Sequence, residues 1–260
     1  MLLAIDIGNS DIVFGIYASK TWLHQFRIIT ALSPRGADYE AQLRLKFLDN
    51  SLKISDINRI IISSVVPEKT AIIKKMSEEM FGLPSTVVGP DIYPKLGIDI
   101  LSPYEIGTDL VANAVYAYYT YRQDCIVIDF GTALTFTVVS KDAKILGVSI
   151  APGLQTAVKS LFSNTAQLPE VPLEMPESAI GINTVHAIQA GVLWGYVGLV
   201  EKMLERIKVE IGSPHKVLAT GGLSSILTPL RWQFDEVDKL LTMNGLRIIS
   251  DILEEENMIL

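Results

Sequence analysis

Two short stretches of this sequence carry residue types suited to holding phosphate. Asp6-Ile7-Gly8-Asn9-Ser10 follows an apolar run, and Asp129-Phe130-Gly131-Thr132 follows another, Ile126-Val127-Ile128. In each, a carboxylate ends a strand-like run and a Gly with a small polar residue makes the turn. A second apolar run follows at once, Ile12-Val13-Phe14-Gly15-Ile16-Tyr17 in the first case and Leu134-Thr135-Phe136-Thr137-Val138-Val139 in the second. Gly at the turn lets backbone N–H groups approach an anion, and a carboxylate beside them holds the counter-cation directly or through water. One such turn is as readily structural as functional. Two, one near the start of each half, predict a duplicated nucleotide-cleft fold in which Asp6 and Asp129 converge on one triphosphate.

Two further stretches add to this chemistry. Gly107-Thr108-Asp109-Leu110 precedes a run of helical composition at 111–121, so Asp109 falls in a first helical turn, where the helix dipole favours a carboxylate. An Asp that merely starts a helix has the same signature. Val217-Leu218-Ala219-Thr220 runs into Gly221-Gly222, and paired glycines clear the space that a flat ring or a ribose needs.

The elements that must position these residues alternate between strand and helix patterns. After the first hairpin come a third strand at 22–29, a Ser33-Pro34-Arg35-Gly36 turn, and an amphipathic run at 39–52 for which Asp38 is the expected cap. The continuous apolar run at 59–66 reads as a strand covered on both faces, with Ser63 and Ser64 as turn residues before Pro67. Pro67 opens a helix over 68–80 that Gly82 ends. Pro90, Pro94, Gly97 and Pro103 keep 89–104 irregular, at the border of a cleft. The second half repeats the pattern, with a strand at 144–150 leading into Ala151-Pro152-Gly153 and a helix over 154–162. Gly181-Ile182-Asn183-Thr184 then caps a long helix at 185–207, in which Gly191, Gly195 and Gly198 are expected to admit another backbone within the core. An amphipathic helix at 240–256 closes the pattern.

Composition narrows the alternatives. A chain of 260 residues with 49% hydrophobic and 20% charged residues has room for two modest α/β domains, read here as 1–114 and 115–260. Its apolar runs are too short to span a membrane. No leader pattern precedes the first strand, so the chain reads as cytoplasmic. A net charge of −7 without a basic stripe argues against nucleic acid. The one Cys, Cys125, reads as a small core residue, and His24, His186 and His215 are too scattered for a His/Cys metal centre. Any metal is a hard cation held by carboxylate, phosphate and water.

In this order and over essentially the whole chain, Asp6-Ile7-Gly8-Asn9-Ser10, Gly107-x-Asp109, Asp129-Phe130-Gly131-Thr132-Ala133, Ala151-Pro152-Gly153-Leu154, Gly181-x-Asn183-Thr184 and Ala219-Thr220-Gly221-Gly222-Leu223 resemble the type III pantothenate kinases. These belong to the acetate and sugar kinase, heat-shock ATPase and actin superfamily. The resemblance implies two ribonuclease H-like (actin-like ATPase) domains with a nucleotide cleft between them. It also implies transfer of the γ-phosphoryl of ATP to pantothenate, the first step of coenzyme A synthesis, by a homodimer using Mg2+ and K+ or NH4+. By resemblance, Asp6, Ile7, Gly8, Asn9, Ser10, Asp11, Ile12 and Val13 bind ATP together with Thr132, Gly221 and Gly222. Asp6 holds Mg2+ through water, Asp129 binds the monovalent cation, and Asp109 is the general base. Ile100, Gly107, Thr108, Leu110 and Thr184 are the further acceptor-side positions, Thr184 near the dimer interface.

Three positions depart from the family pattern. Leu110 stands where an Arg meets the substrate carboxylate, Ile100 where a Tyr is usual, and Thr137 where an Asp usually ends the second hairpin motif. A Leu cannot replace a guanidinium against a carboxylate. Two other readings therefore stay open: a kinase of this fold for a less charged hydroxyl acceptor, and a non-catalytic nucleotide-binding regulatory paralogue.

Overall fold

The computed structural model describes residues 1–33, 35–165, 168–222, 224 and 226–259. Pro34 of the expected turn and Leu223 of the last motif lie outside them. The chain divides into two compact units, one of Met1–Tyr119 with Leu241–Leu260 and the other of Thr120–Leu240. The expected division was a single boundary at 114/115.

The first unit opens with β1 (Leu2–Ile7), β2 (Asp11–Ala18) and β3 (Thr21–Ile29), followed by α1 (Gly36–Asp49), β4 (Arg59–Ser64), α2 (Pro67–Phe81), β5 (Thr86–Val87) and α3 (Thr108–Tyr121). The sheet order is β3-β2-β1-β4-β5. The first three strands are antiparallel neighbours, while β4 lies parallel to β1 and β5 parallel to β4. β1 is buried along nearly its whole length, which is why it reads as a continuous apolar run rather than an alternating one. Leu3, Ile5 and Ile7 pack with Phe14 and Ile16 against Tyr39, Leu43 and Phe47 of α1 and Ile73, Met76 and Met80 of α2. Pro67 sits in the first turn of α2, and Gly82 ends it in the left-handed region at φ 66°. α1 begins at Gly36, earlier than expected, so Asp38 does not cap it. Asp38 lies in the first turn instead, bonded to Ser33 and Arg35.

The second unit repeats the design with β6 (Asp124–Phe130), β7 (Ala133–Ser140), β8 (Lys144–Pro152), α4 (Leu154–Ser163), α5 (Thr184–Gln189), α6 (Gly195–Ile211), β9 (His215–Thr220) and β10 (Glu236–Val237). Its order is β10-β9-β6-β7-β8, with β6, β7 and β8 antiparallel in turn and β9 and β10 parallel. Numbered within its own unit, each sheet has the order 3-2-1-4-5, so the duplication expected from the two hairpins is realised strand for strand. Ile126, Ile128, Phe136, Val217 and Ala219 form one core face with Val197, Val200 and Leu204 of α6. Cys125 is buried, as expected.

The expected long helix at 185–207 is instead α5 and α6 joined through a π-helical turn at Ala190–Trp194. Asn183 caps it by accepting the His186 N–H at 2.9 Å. The helix glycines correct an expectation: Gly191, Gly195 and Gly198 are exposed, and a Cβ added at any of them would meet nothing within 4 Å. They lie on an open face rather than in a core.

α7 (Leu241–Ile259) then returns to the first unit. A Cβ at Gly245 would lie 1.9 Å from the Ala112 carbonyl oxygen, so only glycine lets α7 and α3 come this close. The Trp22 indole N–H donates to Asn244 Oδ1 at 2.7 Å, and Arg59 bridges Asp251 at 3.1 Å and Glu254 at 2.5 Å.

Candidate active site

Asp6 is the penultimate residue of β1, paired with Val13 of β2 on one side and Ser63 of β4 on the other. The turn after it is closed by the Gly8 N–H, which donates to the Asp11 carbonyl at 3.0 Å. Behind it stands Thr30, a buried residue just past β3. Its hydroxyl donates to the Gly8 carbonyl at 2.6 Å and its N–H to the Ser10 carbonyl at 2.9 Å. The Tyr39 hydroxyl in turn donates to the Thr30 carbonyl at 2.5 Å. The carbonyls of the turn are thus tied back into the unit, the arrangement a phosphate-binding turn requires because carbonyl oxygens repel anions. Sequence reasoning missed Thr30, since a lone Thr after a strand carries no signal.

Thr108, Ser63 and Ser64 form the second part of the site. The Ser64 N–H donates to Thr108 Oγ1 at 2.8 Å, and the Thr108 hydroxyl lies 2.9 Å from Ser63 Oγ and 3.1 Å from the Ser64 carbonyl. Ser63 and Ser64 are therefore more than turn residues, because they pin the start of α3 to the carboxyl end of β4. Since β4 neighbours β1, the carboxyl end of this sheet gathers Asp6 and Asp109.

Asp109 sits in the first turn of α3, partly exposed but surrounded by protein, with Oδ1 accepting the Leu110 N–H at 2.8 Å. Burial raises its carboxyl pKa, opposed by backbone N–H bonds that favour the ionised form. A Cβ at Gly107 would lie 2.4 Å from Asp109 Oδ1, which explains the Gly-x-Asp spacing: any side chain there would push the carboxylate aside. Burial, with the Asp109 charge second, drives the Tyr93 phenol up to about 12. Leu110 and Ile100 are buried, 6% and 7% exposed.

In the second unit Asp129 occupies the place in β6 that Asp6 holds in β1, paired with Thr135 of β7 and Thr220 of β9. The Gly131 N–H closes this turn onto the Ala133 carbonyl at 3.1 Å. Gly153 supports it from behind. Its N–H donates to the Thr132 carbonyl at 3.0 Å, and a Cβ there would lie 2.2 Å from the Gly131 oxygen. Thr156 adds a hydroxyl bond to the same Thr132 carbonyl at 2.7 Å, and the Tyr196 hydroxyl holds the Pro152 carbonyl at 2.6 Å. Ala151-Pro152-Gly153 thus does for the second turn what Thr30 does for the first.

The paired glycines divide their work. Gly221, at φ 91°, packs on the Phe130 backbone, where a Cβ would fall 2.6 Å from its carbonyl carbon. At Gly222, which is exposed, an added Cβ would meet nothing within 4 Å, so the open space expected of the pair lies at this glycine alone. Thr184 is placed differently: it is exposed and, with Leu161, Gly181, Ile182 and Ile188, lines a groove of about 600 Å³.

Among the described residues no three His, Cys, Asp or Glu side chains gather into a metal cage, and no helix is long and apolar enough to cross a membrane. A cation bound here would rely on single carboxylates, hydroxyls, phosphates and water.

Comparison with known proteins supplies the context for this geometry. The family model described as type III pantothenate kinase matches residues 2–206. A type III pantothenate kinase from Citrifermentans bemidjiense is 41% identical over 249 residues, covering 96% of this chain and 98% of its own. Another, from Myxococcus xanthus, is 39% identical over 251 residues, covering 96% and 97%. In fold, MreB 5 of Spiroplasma citri bound to AMPPNP aligns at a TM-score of 0.57 over 99% of this chain and 98% of that one, with 8% sequence identity. Two sheets of one topology, each with an Asp turn at the end of its first strand, thus share their fold with that protein. With a family model spanning most of its length and relatives this similar from end to end, the chain belongs to the type III pantothenate kinase family.

Proposed function

We propose that the chain transfers the γ-phosphoryl group of ATP to the hydroxyl of pantothenate, giving 4′-phosphopantothenate and ADP, the first step of coenzyme A synthesis. The observation that carries this reading is Asp109: a carboxylate of raised pKa in a first helical turn, anchored through Thr108 to the strand beside Asp6, in a chain of this family. Phosphoryl transfer depends on alignment and charge neutralisation more than on covalent help from the protein. Asp109 accepts the hydroxyl proton as the new oxygen–phosphorus bond forms and the bond to the departing ADP oxygen breaks. A raised pKa moves it toward the range in which a base works best near neutral pH.

The braced 6–13 turn and Thr132 serve the phosphates, and Gly222 the adenosine side. Asp6, a single carboxylate, suits Mg2+ that keeps most of its water and neutralises phosphate charge when bound. Asp129 serves K+ or NH4+; its strand neighbour Thr135 carries a buried hydroxyl oxygen without a partner, which fits such an ion. The exposed Gly191, Gly195 and Gly198 face and the Thr184 groove support association of two copies there, with Thr184 meeting the acceptor near the interface. The reading puts the reaction in the cytoplasm.

The purified chain with ATP, Mg2+, K+ and pantothenate should form 4′-phosphopantothenate, measured by mass. No product at high enzyme and substrate concentration rejects the proposal. Leu110 and Ile100 offer no charge or hydroxyl to a carboxylate, which favours a less charged acceptor as the second reading. An alcohol analogue of pantothenate with higher kcat/KM than pantothenate itself would decide for it.

A further inference from the structure

The β6–β7 pair sets Thr135 directly across from Asp129, so the two side chains share one face of the sheet with Cβ atoms about 5 Å apart. On the other side of Asp129, β9 contributes Thr220, giving a row of Thr220, Asp129 and Thr135 across three strands. Thr135 is 8% exposed, and its Oγ1 is buried without a hydrogen-bond partner, a state that folded proteins seldom leave uncompensated. One carboxylate flanked by neutral hydroxyls makes a site of low charge rich in neutral oxygens. It suits a large, easily dehydrated monovalent ion that accepts neutral oxygens.

We infer that Thr135 Oγ1 is a ligand of the monovalent-cation site at Asp129, which rests on the reading of Asp129 as a cation ligand. K+ takes the hydroxyl oxygen by ion–dipole attraction, and NH4+ donates a hydrogen bond to it. Thr137 provides an internal control. Its Oγ1 is likewise buried and without a partner, but it pairs with Val127, two residues along the strand from Asp129 and on the same face.

The test is the unfolding midpoint of the full chain titrated with KCl, with choline chloride holding ionic strength constant. The midpoint of the unaltered chain should rise with K+. Thr135→Val should raise the half-saturating K+ concentration about tenfold or more. Thr135→Ser, which keeps the oxygen, and Thr137→Val should both titrate like the unaltered chain, and the Ser variant gives the comparison with Thr135→Ala should the Val variant not fold. The inference fails if Thr135→Val titrates normally, or if Thr137→Val shifts the curve as far. Loss of the K+ response in Asp129→Asn alone would leave the Asp129 reading standing and remove Thr135 from it. No K+ response in the unaltered chain would remove both.

Discussion

Burial makes the Asp109 carboxyl hold its proton more firmly than an exposed Asp does, and in the proposed reaction this makes its carboxylate a stronger base. The sign follows directly. A raised pKa keeps the group protonated over a wider acidic range, so kcat/KM should begin to fall with decreasing pH above the range of an ordinary Asp. A pH–rate profile with its acid limb at the usual carboxylate position would contradict this. Asp109→Asn should lower kcat by about a hundredfold to ten-thousandfold while nucleotide affinity persists, the split that separates an enzyme from a binding module. Gly107→Ala brings a methyl against Asp109 Oδ1, and should reduce kcat by about a hundredfold with little change in Tm. At this scale the sequence was informative about identity and silent about mechanism. Gly107 and Asp109 were legible as a pair, whereas the contact that makes the glycine necessary appears only when the backbone folds the carboxylate back over it.

Both Asp turns are braced from the end of the third strand in their sheet, by Thr30 in one unit and by Gly153 with Thr156 in the other. Thr30→Val leaves the Gly8 carbonyl without its hydroxyl donor and should cost about 1–3 kcal/mol of stability, with a raised KM for ATP. Denaturant melts and nucleotide titrations check the two parts separately. The strands, most helix starts and the duplication were legible because buried parallel strands read as apolar runs, and because Pro67 and Gly82 punctuate a helix chemically. The bracing residues were not, because a Thr that donates backward to a carbonyl resembles any other Thr in a loop. The glycines of the 191–198 stretch were misread for a related reason. Spacing gives the face of a helix but not what lies opposite, and here nothing within the unit does.

At the scale of the whole molecule, that open glycine face yields a prediction about assembly. In the proposed pairing of two copies through this face, Gly195→Arg places a long charged side chain on it and should lower the mass measured by light scattering from that of a pair to that of a single chain. An unaltered mass would separate the face from self-association.

The closing helix has a further consequence. Met243 fills the space beside Gly15, Asn244 receives the Trp22 indole, and Gly245 lets α7 settle on Ala112. During synthesis these positions on β2, β3 and α3 leave the ribosome long before their partner does, with the whole second unit translated in between. Completion of the first unit therefore waits for a segment made after nearly all of the second. A product stalled before α7 leaves the surface around Gly15, Trp22 and Ala112 uncovered, and exposed apolar surface of this kind invites aggregation.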